Sequence, residues 1–149
     1  MKRILIIGLL SILVFGIYSF KNSEVDFEAN STEGIQFFKG TFQEALEKAK
    51  TENKPIFLDL YATWCGPCKK LKKTTFKDDE VGAYFNSHFI NLAIDGETPE
   101  GKKLMQKYDA RSYPSLFILD SNGIVKTSAT GFHKPHQLVN FGRRIVPQQ

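Results

Sequence analysis

Hydrophobic and polar positions divide the chain into an apolar leader, a polar connector and a patterned domain. Residues 4–20 form an apolar run without any charge, directly after the basic end Met1-Lys2-Arg3. Residues 22–33 are polar and carry no periodic pattern, which is typical of a linker. From residue 34 to residue 149, short apolar runs alternate with segments of helical periodicity, and this alternation predicts a single α/β domain.

The leader, residues 1–21, has the pattern of an export segment, in which a short positive end precedes an apolar stretch. The seventeen residues of this stretch are many for a signal core and few for a membrane-spanning helix. It contains no clean small-residue cleavage site and no cysteine that could carry a lipid. The sequence leaves two fates open, cleavage as a signal peptide or retention of residues 4–20 as a membrane anchor. Either fate places the domain outside the cytoplasm.

The first part of the domain is predicted to contain a strand, a helix and a second strand. Residues 35–38 are predicted as a short strand. Thr41-Phe42-Gln43-Glu44 has the form of a capping box, and the helix that follows is predicted to end near Asn53, because a proline comes two residues later. Residues 56–61 are a compact apolar run interrupted only by Asp59, which is typical of a buried strand.

The later elements are marked by similar local patterns. Thr98 is a suitable N-cap with Pro99 at the first helical position, and Asp120-Ser121-Asn122-Gly123 is a strong hairpin turn. In chain order, the sequence predicts a Lys-rich helix to about Phe76, a short helix at 81–85, a strand at 89–94, a helix to about Tyr108, strands at 115–119 and 124–128, and a helix at 135–145. This order predicts a mixed central sheet with helices on both faces and a C-terminal hairpin plus helix.

The net charge of +4 overstates how basic the domain is. Lys2, Arg3 and Lys21 flank the leader, and without them seventeen basic residues face sixteen acidic ones. That balance argues against a nucleic-acid partner. The lysines at 69, 70, 72 and 73 form the one basic cluster, and on a helix they are expected to form a solvated face.

The chain has two cysteines, Cys65 and Cys68. Helix neighbours at this spacing have Cβ atoms about 5–6 Å apart, so a modest adjustment of the two side chains lets their sulfurs form a disulfide. The pair lies where the predicted strand 56–61 passes into the Lys-rich helix, and a helix N-terminus favours a thiolate at Cys65. We expect Cys65 at the exposed tip as the attacking thiol and Cys68, one turn further in, as the resolving thiol.

Three other interpretations of the cysteine pair compete with a redox role. A purely structural disulfide that closes so short a loop removes little entropy from the unfolded chain. A structural zinc site needs four ligands, and a second cysteine pair is absent. His88, His133 and His136 lack paired ligand spacing, so no metal site is predicted. Chance is the third alternative, and the residues that flank the cysteines argue against it.

Trp64-Cys65-Gly66-Pro67-Cys68-Lys69 resembles the active-site motif of the thioredoxin family, and the resemblance covers about residues 41–145. Asp59 stands six residues before the first cysteine, as the buried acid of thioredoxins does. Arg111-Ser112-Tyr113-Pro114-Ser115 resembles the loop with the family's cis-proline, and Gly131 matches a glycine near the substrate groove. The resemblance implies a thioredoxin-like fold for residues 34–149.

The chain also differs from plain thioredoxins. The helical stretch from Thr75 to Asn86 is additional, and it is similar to the C-terminal thioredoxin-like domain of periplasmic membrane-bound disulfide reductases and to small exported relatives. Tyr61 stands where a tryptophan is usual, and Thr63 where an acid is common. Asn91 replaces a lysine that lies near the buried acid in thioredoxins, so proton transfer is expected to differ here.

Asp59 is a candidate proton acceptor for Cys68. A carboxyl group in an apolar strand tends to have a raised pKa and can exchange protons near neutral pH, here through a water molecule. The alternative is a surface acid on an edge strand, and the apolar residues around Asp59 make that alternative weaker.

The remaining site residues follow from the resemblance. Pro114 is expected to be cis, which would leave the backbone of Tyr113 free to pair with an extended substrate. Trp64 is expected to shape access to the thiol, with a core tryptophan as the alternative. Gly66 and Pro67 shape the motif, and Pro67 accompanies reducing members of the family.

These expectations combine into a thiol–disulfide oxidoreductase that reduces disulfides in exported proteins through Cys65 and Cys68. The alternatives are an oxidase or isomerase of the same fold, or a chaperone-like binding module that does not need the dithiol. The expected partners are protein substrates with disulfides and a membrane-bound thiol electron donor. No cofactor beyond the dithiol is expected, and we expect a monomer.

Overall fold

The computed structural model describes residues 34–147. The predicted leader, residues 1–21, and linker, residues 22–33, lie outside the described residues. Within 34–147, the elements are α1 (Phe42–Glu52), β1 (Ile56–Tyr61), α2 (Gly66–Lys73), a 3-10 helix (Thr75–Lys77), α3 (Asp79–His88), β2 (Ile90–Asp95), α4 (Pro99–Lys107), β3 (Ser115–Leu119), β4 (Val125–Thr130) and α5 (Pro135–Arg143). None of these helices has the length and apolar character needed to cross a membrane.

The four strands form one mixed sheet in the order β2-β1-β3-β4. Strand β1 pairs in parallel with β2 and antiparallel with β3, and β3 pairs antiparallel with β4. Asp59 therefore lies opposite Ala93 on one side and Leu116 on the other. The predicted mixed sheet with a C-terminal hairpin and helix is confirmed.

Helices cover both faces of the sheet because β1 alternates its side chains between two apolar clusters. Phe57 packs in a cluster with residues of α2, α3 and α5, including Leu71 and Phe85. Leu58 and Leu60 pack in the opposite cluster, with residues of α1 and α4. Every residue of β1 except Tyr61 is buried, so β1 is the centre of the core.

Local capping interactions set the end points of α1, which leads into β1. Thr41 and Glu44 form the predicted capping box, with the Thr41 N–H donating to Glu44 Oε2 at 2.7 Å. Asn53 ends the helix in a left-handed conformation with φ of 51°. The boundaries predicted for this helix are confirmed.

The short strand predicted at residues 35–38 is wrong. One backbone bond joins this segment to β2, from Phe38 N to Asn91 O at 2.8 Å. The backbone of Gln36 instead bonds to side chains: its N–H donates to Asn86 Oδ1 at 2.8 Å, and its carbonyl accepts from Asn91 Nδ2 at 3.3 Å. Two asparagine side chains thus take the place of a strand ladder.

Candidate active site

A disulfide joins Cys65 and Cys68 where β1 passes into α2. Their Cα atoms are 5.3 Å apart. Cys65 is the N-cap of α2, and its Sγ accepts a hydrogen bond from the Cys68 N–H at 3.1 Å. Pro67 lies in the first turn, where a missing N–H costs nothing. A thiolate at Cys65 would face the free N–H groups and the positive end of the helix dipole.

Both cysteines are buried in the disulfide form, with Cys65 3% and Cys68 6% exposed. The prediction that Cys65 would lie at an exposed tip is therefore wrong for this form. The physical reason is a small apolar cluster, in which Ala62 is buried with the two cysteines and Tyr61 and Tyr113 pack against them.

The peptide bond between Tyr113 and Pro114 is cis, as predicted. The Pro114 carbonyl accepts from the Gly131 N–H at 2.9 Å, and Gly131 has a φ of 86°, a conformation that favours glycine. The Tyr113 N–H and carbonyl have no hydrogen-bond partner among residues 34–147. Tyr113 therefore offers free backbone groups beside the disulfide.

Trp64 lies on the surface, with 67% of its area exposed, so the alternative of a core tryptophan is wrong. Its ring meets the Tyr113 ring edge to face, with centroids 5.7 Å apart and an interplanar angle of 78°. Since Tyr113 also packs against the cysteines, the two aromatic rings form one wall beside the disulfide.

Asp59 is buried on the side of the sheet that α2 covers. It shares the face of β1 that carries Phe57, and Phe57 packs in one cluster with Leu71 of α2. Burial raises the pKa of Asp59 to about 7, and its Oδ1 has no hydrogen-bond partner within the described part of the chain. The alternative of an exposed acid on an edge strand is wrong, because β1 lies between two other strands.

The fold and the site agree with a family model. The thioredoxin-like model matches residues 38–121. The chain belongs to the thioredoxin-like family.

Three similar proteins extend this match. DsbD of Haemophilus influenzae, a thiol:disulfide interchange protein, is 34% identical over 108 residues, which are 69% of this chain and 19% of that protein. A solution structure described as a disulphide-isomerase from Bacteroides thetaiotaomicron is 41% identical, with a TM-score of 0.68, and the match covers 78% of this chain and 98% of that one. The oxidised C-terminal domain of Neisseria meningitidis DsbD is 27% identical, with a TM-score of 0.61, over 73% of this chain and 98% of that one.

The predicted thioredoxin-like fold is confirmed by these matches. The chain spans less than a fifth of the length of the curated relatives that it matches.

Within this thioredoxin-like site, the side chain of Asn91 forms no hydrogen bond with Asp59. It lies on β2 opposite Phe57, and its amide nitrogen donates to Asn86 Oδ1 at 3.1 Å and to the Gln36 carbonyl. Burial is the cause of the raised Asp59 pKa, with no cation contributing. The side chain at position 91 instead holds the segment before α1, and the expected difference in proton transfer stays a prediction.

Sequence reasoning missed Glu97, which accepts a hydrogen bond from the Tyr113 hydroxyl at 3.0 Å. Burial, this bond and the nearby carboxylates of Glu97 and Asp95 raise the pKa of Tyr113 to about 12, so the phenol remains a donor. No local pattern indicates this pair, because the two residues are sixteen positions apart.

The lysines of α2 are exposed as expected, and Lys70 places its Nζ 4.4 Å from the centre of the Phe132 ring. Among residues 34–147, no group of three or more His, Cys, Asp or Glu side chains could hold a metal ion.

Replacing Asp59 with asparagine should change how stability depends on pH. The folded-state pKa of Asp59 is about 7, whereas an unfolded aspartate has a pKa of about 4. The free energy of unfolding should therefore fall as the pH rises through this interval. Asp59→Asn should remove that fall. Above pH 7, its free energy of unfolding should exceed that of the wild type by at most about 4 kcal/mol. Urea unfolding of the oxidised protein at several pH values measures both curves.

Glu47→Gln, a change at an exposed acid on α1, is the control and should leave the wild-type pH dependence intact. Parallel curves for wild type and Asp59→Asn would contradict a raised pKa at Asp59.

Proposed function

We propose that this chain catalyses thiol–disulfide exchange and reduces disulfides in exported proteins. The observation that carries the proposal is the Cys65–Cys68 disulfide at the N-terminus of α2 in a thioredoxin-like fold. The similar interchange proteins, of which this chain spans a small part, support the same chemistry.

In the reductive cycle, the Cys65 thiolate attacks one sulfur of a substrate disulfide and displaces the other sulfur as a thiolate. The Cys68 thiolate then attacks Cys65 Sγ, which releases the second substrate sulfur and forms the Cys65–Cys68 disulfide. Two electrons pass from the dithiol to the substrate. The Cys68 N–H, which donates to Cys65 Sγ, supports the assignment of Cys65 as the thiolate.

Asp59 is the proton acceptor for Cys68 in this proposal. It lies on the face of the sheet covered by α2, and its pKa of about 7 lets it take up or release a proton near neutral pH. In this proposal the proton passes from the Cys68 thiol to the Asp59 carboxylate through a bridging water molecule.

Trp64, Tyr113 and Pro114 form the substrate groove. The free N–H and carbonyl of Tyr113 can pair with an extended substrate segment, strand to strand. The exposed ring of Trp64 adds apolar contact area next to this segment. Gly66 and Pro67, which lie between the two cysteines, are exposed at the surface.

Gly66 and Pro67 between the cysteines favour the reductive direction, since this pair accompanies reducing members of the family. An isomerase is the second candidate, because the similar Bacteroides thetaiotaomicron structure is described as one. An oxidase, or a binding module that does not use the dithiol, remains the further alternative.

The leader, residues 1–21, supports export to the periplasm or its membrane face, either as a signal peptide or as an anchor at residues 4–20. Repeated reduction outside the cytoplasm needs a supply of two electrons for each disulfide. The similarity to the C-terminal domain of DsbD supports a membrane-bound thiol donor. The domain, residues 34–149, acts as a monomer in this proposal, without a cofactor beyond its dithiol.

Cysteine variants should separate the attacking thiol from the resolving thiol. The reduced Cys68→Ser variant should accumulate a mixed disulfide with insulin, because the intermediate cannot be resolved. The reduced Cys65→Ser variant should form none. Non-reducing electrophoresis and mass spectrometry measure the adducts. In the chain with both cysteines, Asp59→Asn should prolong the mixed disulfide near neutral pH. Equal trapping by the two cysteine variants would remove the assignment of roles.

The reduction potential of the Cys65–Cys68 disulfide should show in which direction the chain exchanges disulfides. We expect a value nearer to that of thioredoxin, about −270 mV, than to that of the oxidant DsbA, about −120 mV. Equilibration with dithiothreitol or glutathione buffers, followed by thiol counting, gives the value. A potential at the DsbA end would favour an oxidase, and one near that of protein disulfide isomerase, about −180 mV, an isomerase.

Cell fractionation should find the domain outside the cytoplasm. Protease added to spheroplasts should digest it or release it, because both fates of the leader export the domain. Deletion of residues 1–21 is the control and should leave the domain in the cytoplasm. A full-length protein that is protected from protease with its leader uncleaved would contradict export.

A further inference from the structure

The Tyr113 side chain joins three loops at the disulfide end of the sheet. Its ring packs in the small cluster with Cys65 and Cys68 and meets the exposed Trp64 edge to face. Its hydroxyl reaches across to Glu97, in the loop between β2 and α4. Tyr113 thus contacts the loop before α2 and the loop before α4, while its own backbone lies in the groove.

The loop that presents Glu97 is held by three hydrogen bonds. Asp95 Oδ1 accepts from the Glu97 N–H at 3.0 Å, and the Asp95 carbonyl accepts from Thr98 Oγ1 at 2.7 Å. The Gly96 N–H donates to the Tyr61 carbonyl at 2.8 Å, which ties the loop to the end of β1. The side chain of Glu97 therefore extends from a backbone that is held by hydrogen bonds at the residues before and after it.

Gly96 lets the Tyr113 ring lie close to this loop. A Cβ atom at position 96 would come within 2.5 Å of Cε1 of the Tyr113 ring. The close approach and the hydroxyl bond to Glu97 together define one place for the ring.

We propose that Glu97 is a positioning residue for the substrate groove: it holds the Tyr113 ring, and through it Trp64, in the orientation that receives an extended substrate. The inference rests on the proposed thiol–disulfide exchange and deepens it. Glu97 acts through Tyr113 and does not touch the reacting sulfurs.

The position of Trp64 depends on this contact because Tyr113 is its aromatic partner among the described residues. Without the hydroxyl bond, Tyr113 gains rotational freedom and the wall that it forms with Trp64 loosens. An extended protein substrate then docks less well. A small disulfide reacts with Cys65 and Cys68 without an extended segment that must dock, so its rate depends less on this wall.

The test compares insulin with dipyridyl disulfide, a small neutral disulfide, using the domain with its two cysteines intact. Glu97→Ala removes the acceptor, Tyr113→Phe removes the donor, and Glu97→Gln keeps an amide oxygen as acceptor while it removes the charge. Glu47→Ala, which removes an exposed acid on α1, is the charge-matched control.

Glu97→Ala and Tyr113→Phe should each raise KM for insulin about fivefold, equivalent to about 1 kcal/mol, with kcat unchanged. The double variant should have the same KM for insulin as either single variant, because both substitutions remove the same hydrogen bond. Glu97→Gln and Glu47→Ala should match the wild type. Glu47→Ala should also react with dipyridyl disulfide at the wild-type rate, and in Glu97→Ala and Tyr113→Phe the reaction with dipyridyl disulfide should slow by less than the reaction with insulin.

Trp64 provides an independent readout because it is the chain's one tryptophan. Its fluorescence anisotropy in the oxidised protein should fall in Glu97→Ala and Tyr113→Phe and stay at the wild-type value in Glu97→Gln. A merely structural role for Glu97 would lower thermal stability without moving anisotropy and KM together.

Two results would overturn the inference. If Glu97→Gln raises KM for insulin as much as Glu97→Ala does, the charge of Glu97 matters rather than its hydrogen bond. If the effects of the two single variants on KM add up in the double variant, the two residues act separately. In both cases a wild type that reduces insulin leaves the proposed function standing. A wild type that reduces neither insulin nor dipyridyl disulfide would instead overturn the proposed function, and this inference with it.

Discussion

The burial of β1 between two neighbouring strands is the constraint on which the site depends. Strand β1 pairs in parallel with β2 and antiparallel with β3, and its side chains pack into the clusters on both faces. Four residues separate the end of this central strand from α2, and Cys65 lies at the N-terminus of that helix. The same burial places one carboxyl group, Asp59, in the core without a cation to balance its charge.

That buried carboxyl has opposite consequences for stability and for chemistry. Desolvation makes the ionised form of Asp59 costly, so the protein is less stable where the group is charged. The same desolvation brings its pKa close to neutral, where a proton acceptor is most effective. Asn91, which could have supplied a partner, is engaged with Asn86 and the backbone of Gln36 instead. Stability is thus lower than an apolar residue at position 59 would allow, and a titratable group is retained next to the helix that carries Cys68.

The groove beside the disulfide is assembled from three separate loops. Cys65 follows β1, Glu97 follows β2, and Tyr113 precedes β3, which runs antiparallel to both. Parallel strands present their carboxyl ends at one edge of the sheet, and an antiparallel neighbour presents its amino end there. The topology therefore brings the loops together, while the Tyr113–Glu97 bond and the contact with Trp64 set the relative positions of the side chains.

Local chemistry in the sequence determined most elements and the identity of the reacting groups. The capping box at Thr41, the apolar run of β1 and the cysteine spacing involve residues a few positions apart, so each can be recognised without the fold. Only the tertiary structure decided that Cys65 is buried, that residues 35–38 are held by asparagine side chains fifty or more positions away, and that Glu97 reaches Tyr113. These features are contacts between distant parts of the chain, and such contacts leave no periodic or short-range pattern in the sequence because they exist only after the strands have paired.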